Sequence, residues 1–445
     1  MNRTEEFLSA LDAVRAREVP GEVMARARRS LLDYLAVTCA GAAFQRGKLE
    51  RYFAAAMPEA GASAAIGTRR RFTLKEAVFL NGLNGHALDY DDGTNSGIIH
   101  LGSPVFSLLL PLAERGGKTV EEVLRAAVLG YEASYTLAVT IQPEHKARGF
   151  HATGTCGTPG AALAAAELLG FGGEERFRVF AAACAASSGM LSVLDEGSEL
   201  KPYNVAKAAA LALDSLWMGS AGFRVHPDSL GGARGFLKMM AGRADVELKP
   251  VLLGGTYAIM KTYTKPYASC RYTHPAVEAA IRLRGQVAPD EVEGIAVKTY
   301  SLAVAGHDHT EVKGPYSAKM SIPFSTAAGL LCGKAGLQEF SEESVARPDL
   351  LELARKVRVE ADEGFSEAFP GRQTAEVTAR TARGEFTARV DFPKGEPENP
   401  LTDAEFRERY DGLMEYAGVD GATRNRIFDA VMAGTGMVAG VLEGL

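Results

Sequence analysis

Val292-Glu293-Gly294-Ile295-Ala296-Val297-Lys298-Thr299-Tyr300 places Ile295, Val297 and Thr299 on one side of an extended chain. A period of two marks a half-buried β-strand. Val357 to Val359 reads as a second short strand. Glu376 to Thr381 and Glu385 to Val390 alternate in the same way and join through Arg383-Gly384, which predicts a β-hairpin. Helical stretches at Pro275 to Arg284 and Ser321 to Leu331 fall between these strands, so the segment is an α+β unit. The polar, proline-rich run from Pro393 to Pro400 closes it.

On either side of this unit the period is helical. Leu31, Leu32, Leu35 and Ala36 form one stripe, with Arg26, Arg28 and Asp33 on other faces. Val120 to Thr140 and Ala161 to Leu169 repeat the pattern, and Gly116-Gly117 and Gly170 to Gly173 punctuate it. Past the linker, Thr402 and Glu405 have capping-box spacing and start another helix. The predicted fold is therefore mainly α. A large all-helical domain comes from both chain ends, residues 1–262 and 400–445, with a smaller α+β lid domain inserted at 263–399. Ligands commonly bind at such domain junctions.

Of the 445 residues, 47% are hydrophobic and 23% charged, the balance of a globular protein with a sizeable core. A net charge of −6 and a pI near 5.9 argue against a nucleic-acid surface. The longest basic run, Arg69-Arg70-Arg71, reads as a solvated turn. Five scattered cysteines (Cys39, Cys156, Cys184, Cys270, Cys332) without CxxC spacing read as reduced thiols in a cytoplasmic protein. The N-terminus has no signal-peptide apolar core. The most apolar stretch, Phe106 to Ala113, is far short of the roughly 20 residues that cross a bilayer, so no membrane association is expected.

Four places concentrate chemistry. His86, Asp89, Asp91 and Asp92 crowd the end of a helical stretch, with His86 and Asp89 neighbours by their spacing of three. His100 follows across the loop Gly93 to Ile99. Crowded carboxylates raise one another's pKa and favour a protonated imidazole, a combination suited to moving protons near neutral pH. A helix C-terminus with solvated aspartates fits the same spacing. A metal site is conceivable, but the arrangement matches no standard ligand spacing.

Phe150-His151-Ala-Thr153-Gly154-Thr155-Cys156-Gly157 leads into an alanine-rich helix. It offers either an anion site of backbone N–H groups or a tightly packed helix start. It is neither a P-loop nor GxGxxG. Lys201 directly precedes Pro202, which holds it out of helical geometry at a helix mouth, where it can bind a carboxylate, donate a proton or stand as a surface charge. Lys207 has weaker claims.

Lys265-Pro-Tyr-Ala-Ser-Cys270-Arg271-Tyr272-Thr273-His274-Pro275 sits where the pattern changes. Arg271 can grip a carboxylate with two N–H donors. Cys270 and His274 meet as a thiol–imidazole pair only if the following helix begins early, and Pro275 argues that it begins later. His307 and His309 read as loop residues.

The order His86-Ala-Leu-Asp89-Tyr-Asp-Asp92, His100, His151-x-Thr-Gly-Thr-x-Gly, Lys201-Pro, Cys270-Arg-Tyr-Thr-His-Pro and Ala318-Lys-Met-Ser-Ile-Pro-Phe324 resembles the MmgE/PrpD family over nearly the whole chain. The family includes 2-methylcitrate dehydratases, cis-aconitate decarboxylases and iminodisuccinate epimerases. The resemblance implies a helical domain with an α+β lid and an active site between them. It also implies a homodimer, a small carboxylic acid substrate, and catalysis with no metal and no organic cofactor. Active-site residues of the decarboxylases correspond to Asp89, His100 and Lys201.

This chain departs from them at three points. Gly93, then Thr94, stands where the decarboxylases have threonine after the paired aspartates, and the loop is one residue longer. Cys270 stands where they carry an active-site histidine, and His100 is followed by Leu-Gly-Ser-Pro where many relatives have His-Pro. These departures count against cis-aconitate decarboxylation and leave the substrate open.

The expected chemistry is proton transfer next to a carboxylate, with dehydration of a hydroxy-polycarboxylate leading, then epimerisation and decarboxylation. His100, Asp89 and Lys201 are the expected catalytic residues. Arg271, His151, Tyr272, Cys270, His274 and Thr94 are the expected substrate contacts. A non-catalytic carboxylate-binding protein is the competing class.

Overall fold

A computed structural model describes residues 1–243 and 245–445, apart from the side chains of 195–197. The chain is mainly α, with small sheets, and divides into two compact units. The first comprises Met1–Ser192, Leu200–Thr262 and Ala404–Leu445; the second comprises Val193–Glu199 and Tyr263–Asp403.

In the first unit the helix Gly21–Phe44 is buried on every side from residue 30 to 42, as a helix surrounded by others must be. The amphipathic stripe expected there is thus too narrow. Asp33 points into the protein, where Arg409 of the helix Asp403–Tyr416 neutralises it. Helices Leu74–His86, Gly102–Arg115, Val120–Ile141, Gly157–Leu168 and Lys201–Ser220 pack around one another. Small residues let their backbones close up. A Cβ on Gly160 would lie 1.7 Å from Ser134 Oγ, so only glycine fits there.

Two strands interrupt this helical unit where a helical pattern was expected. β1 (Ala60–Ala65) pairs antiparallel with β2 (Arg70–Phe72). Of the Arg69-Arg70-Arg71 run, expected as a turn, only Arg69 ends the turn, in the left-handed region at φ +56°, while Arg70 and Arg71 belong to β2.

The second unit carries a four-stranded sheet in the order β4-β3-β5-β6, made of β3 (Gly294–Thr299), β4 (Val357–Ala361), β5 (Ala375–Thr381) and β6 (Gly384–Val390). β5 and β6 form the antiparallel hairpin, with β3 antiparallel to β5 and parallel to β4. The parallel pair needs a long crossover, and the helix Ile322–Cys332 lies within it. Ile295, Val297 and Thr299 are the buried residues of β3, and Val297 pairs with both Val359 and Val377. The helix His274–Leu283 packs on β5 and β6 and against Ile322–Cys332. Among the described residues no helix is long and apolar enough to cross a membrane.

Candidate active site: a buried carboxylate and histidine cluster

The helix Leu74–His86 ends at His86, and the chain then turns through Asp89 at φ +50°. Aspartate tolerates this left-handed geometry better than most residues, but still at a cost of about 1–2 kcal/mol. The turn breaks the helical spacing. His86 Nδ1 meets Asp91 at 2.8 and 3.0 Å, and Asp89, the neighbour expected from the spacing, offers a ligand atom within 4.8 Å of that of His86. Asp91 also accepts a 2.6 Å bond from Ser103 Oγ at the start of the next helix. His86 Nε2 is buried without a hydrogen-bond partner among the described residues. The ring therefore carries its proton on Nδ1, towards the carboxylate.

Asp92 anchors that next helix. Its carboxylate accepts from Gly102 N at 2.9 Å and from Tyr131 Oη at 2.7 Å. A Cβ at residue 102 would lie 2.5 Å from Tyr131 Oη, so glycine is required where the helix closes on Asp92. Burial, aided by the nearby Asp91 and Asp33 charges, pushes the Asp92 carboxyl up to about 6 against these two donors.

His100 Nδ1 lies 2.8 Å from the Asp92 carbonyl oxygen and 3.4 Å from Asp91 Oδ1. A carbonyl only accepts, so Nδ1 carries the proton and the Nε2 lone pair faces the other way. There Asp89 Oδ1 stands 3.7 Å off. Lys201, the first residue of its helix, places Nζ 2.7 Å from the same oxygen. Every carboxylate and imidazole of this group is buried, which excludes solvated aspartates and a surface lysine. His100 and Lys201 are its most open members, with side chains 11% exposed against 3–4% for Asp89 and Asp91.

One further expected residue, His151, lies beside this group. The His151 ring lies tilted, 6.2 Å from the His86 ring, and faces Asn204 Nδ2 through Nδ1. Burial, then the positive charge of Lys201, holds the imidazole of His151 well below its ordinary value, so it stays neutral. Thr153 Oγ1 accepts from His100 N at 3.1 Å. The glycines around them serve close packing, since a Cβ on Gly154 would lie 2.6 Å from Ser188 O. Thr94 is buried in the loop that its own N–H closes on Ile99 O.

The remaining expected contacts lie in the second unit. Arg271 grips a carboxylate, but one of this chain. Its Nε donates to Glu396 Oε1 at 2.8 Å, its Nη2 contacts the same oxygen, and its Nη1 donates to His274 Nδ1 at 2.7 Å. The His274 ring nitrogens meet Arg271 Nη1 and Ser269 O. Cys270 Sγ lies 3.6 Å from His307 Nε2, while His307 Nδ1 donates to Ala305 O. His307 is thus a buried partner as well as a loop residue, and Tyr272 packs edge-on against its ring.

Sequence reasoning passed over two side chains here. Lys265 and Lys319 are each only 1% exposed, and buried ammonium groups require polar or anionic surroundings. The repeat of Lys-Pro at 201 and 265 was a signal that could have found one of them.

His86, Asp89, Asp91 and His100 offer ligand atoms within 4.8 Å of one another, a spread that one cation could draw together. Lys201 already supplies a positive charge to Asp89, and the Nδ1 protons of both histidines point at oxygen acceptors. A divalent ion there would compete with the Lys201 ammonium for Asp89.

The arrangement can hold a base of fixed tautomer beside an ammonium, walled off from solvent. A family model of the MmgE/PrpD N-terminal domain matches residues 5–249, and one of the C-terminal domain matches residues 267–433. A cis-aconitate decarboxylase-like protein of Aspergillus oryzae is 25% identical, over 97% of this chain and 94% of its own. The cis-aconitate decarboxylases of Mus musculus and Homo sapiens are each 23% identical, over 92% of this chain and 86% of theirs.

Proposed function

The chain belongs to the MmgE/PrpD family, and from that premise we propose that it is a lyase acting on a small di- or tricarboxylic acid, by proton transfer next to a carboxylate. The observation that carries this reading is the placing of His100 Nε2 and Lys201 Nζ around one oxygen of Asp89. In the leading form, dehydration of a hydroxy acid, His100 Nε2 takes the proton α to the carboxylate. The electron pair left behind forms the double bond as the hydroxyl departs, taking a proton from Lys201, so the products are an unsaturated acid and water. The Lys201 ammonium also offsets the charge that builds on the substrate carboxylate. Asp89 holds the Lys201 ammonium in place and stands beside His100 Nε2, where it offsets the charge the imidazole gains with the proton.

The named relatives favour a second form, decarboxylation, in which the same imidazole returns a proton to the carbon that loses CO2. Epimerisation would use the same first step without change of mass. The binding roles of His151, Thr94, Cys270, Tyr272 and His274 belong to this proposal, as does a homodimer. A substrate held by Arg271 would first have to displace Glu396.

Proton NMR of the purified enzyme with a panel of di- and tricarboxylates in D2O tests the reading. An unsaturated product without CO2 identifies a dehydratase, CO2 release a decarboxylase, and deuterium at Cα without mass loss an epimerase. A panel in which no acid exchanges or reacts leaves only carboxylate binding.

A further inference from the structure

One residue, Tyr90, separates the carboxylate that holds Lys201 from the carboxylate that holds His86. Its carbonyl accepts from Arg409 Nη2 at 2.9 Å, and its ring lies under the same guanidinium at 3.8 Å. Arg409 Nε donates to Asp33 Oδ1 at 2.9 Å, and Nη2 lies 2.8 Å from the same oxygen. Both members of that ion pair are only 5–6% exposed. The three contacts use what a guanidinium has and an ammonium lacks: a planar fork of donors and a flat face for stacking.

We infer that Arg409, on the helix Asp403–Tyr416, is a positioning residue for the site, clamping the Tyr90 peptide so that Asp89 and Asp91 face Lys201 and the histidines. Asp89 sits in a left-handed conformation that a non-glycine residue keeps only when its surroundings impose it. Arg409 is such a surrounding group, 319 residues along the chain from Tyr90. The helix that follows the inserted segment therefore contributes to catalytic geometry without supplying a reacting group. The catalytic half of this inference rests on the proposed lyase reading; the geometric half does not.

The test uses the full chain. Arg409→Lys keeps a charge for Asp33 but cannot span Asp33 and Tyr90 while stacking. Asp33→Asn with Arg409→Met removes the clamp without stranding a buried charge. Histidine side-chain NMR should show the His86 and His100 rings displaced or broadened in both variants, with His226, in an exposed loop, unmoved. With an active substrate, kcat should fall about tenfold at unchanged KM, within the roughly hundredfold that a displacement near 1 Å can cost. Unmoved His86 and His100 resonances in folded variants overturn the inference, and so does kcat within twofold of the parent. Shifted resonances in a chain that turns over no carboxylate uphold the clamp and reject the lyase reading.

Discussion

Lys201 Nζ and Asp89 Oδ1 meet at 2.7 Å across 112 residues of sequence, both nearly closed to solvent. Breaking one side of such a pair strands the other as a buried charge, at about 3–5 kcal/mol. Lys201→Met should therefore lower the melting temperature, and adding Asp89→Asn should recover part of the loss. Substrate affinity should fall in both, because an ammonium that meets the substrate carboxylate serves ground and transition states alike. Calorimetry and ligand titration check the two parts separately.

Gly102→Ala forces a methyl group to 2.5 Å from Tyr131 Oη and 3.0 Å from Asp92 Oδ1. Overpacking of this kind costs about 1–3 kcal/mol. Thermal denaturation should show the loss. Tyr131→Phe in the same chain should relieve part of it, by removing the nearer atom.

Asp92 binds its proton more tightly in the folded chain, at about 6, than its ordinary 3.8. Its stabilising contribution is complete below about 4 and is lost as pH rises to 6, because the folded state then gives up a proton that the unfolded chain has already released. Asp92→Asn still accepts from Gly102 and should abolish this dependence. Its stability advantage over the parent should grow by about 3 kcal/mol between pH 4 and 7, two pKa units at about 1.4 kcal/mol each. Denaturant melts at four pH values suffice. A constant difference across the range would contradict the buried-carboxylate assignment.

The strands of the second unit were legible because a half-buried strand imposes a period of two, as Ile295, Val297 and Thr299 show. The β1–β2 pair was not, since its alanine-rich first strand carries no alternation. Within the site, chain order revealed the residues but not their partners. The left-handed turn at Asp89 sends His86 to Asp91, and no helical spacing rule anticipates such a turn. The Arg271–Glu396 and Cys270–His307 pairs span 125 and 37 residues. They depend on how distant segments fold together, which local periodicity does not encode.

Exhaustive chelation should leave turnover unchanged, since Lys201 already supplies the positive charge beside Asp89. The check is activity after dialysis against a chelator, with metal content measured on the same sample. Activity lost and then restored by one divalent ion would assign the His86, Asp89, Asp91 and His100 group to that ion.

The central claim is that His100 moves the proton. It is tested most directly by the rate at which solvent deuterium enters the α-position of an active carboxylate, measured by NMR for the parent chain and for His100→Ala. Removal of a general acid or base should slow this exchange by about 10²–10⁴. Affinity for the acid should stay near the parent value, because the imidazole acts mainly in the transition state. Exchange at close to the parent rate in folded His100→Ala would contradict the claim and move the proton-transfer role to Asp89 or Lys201.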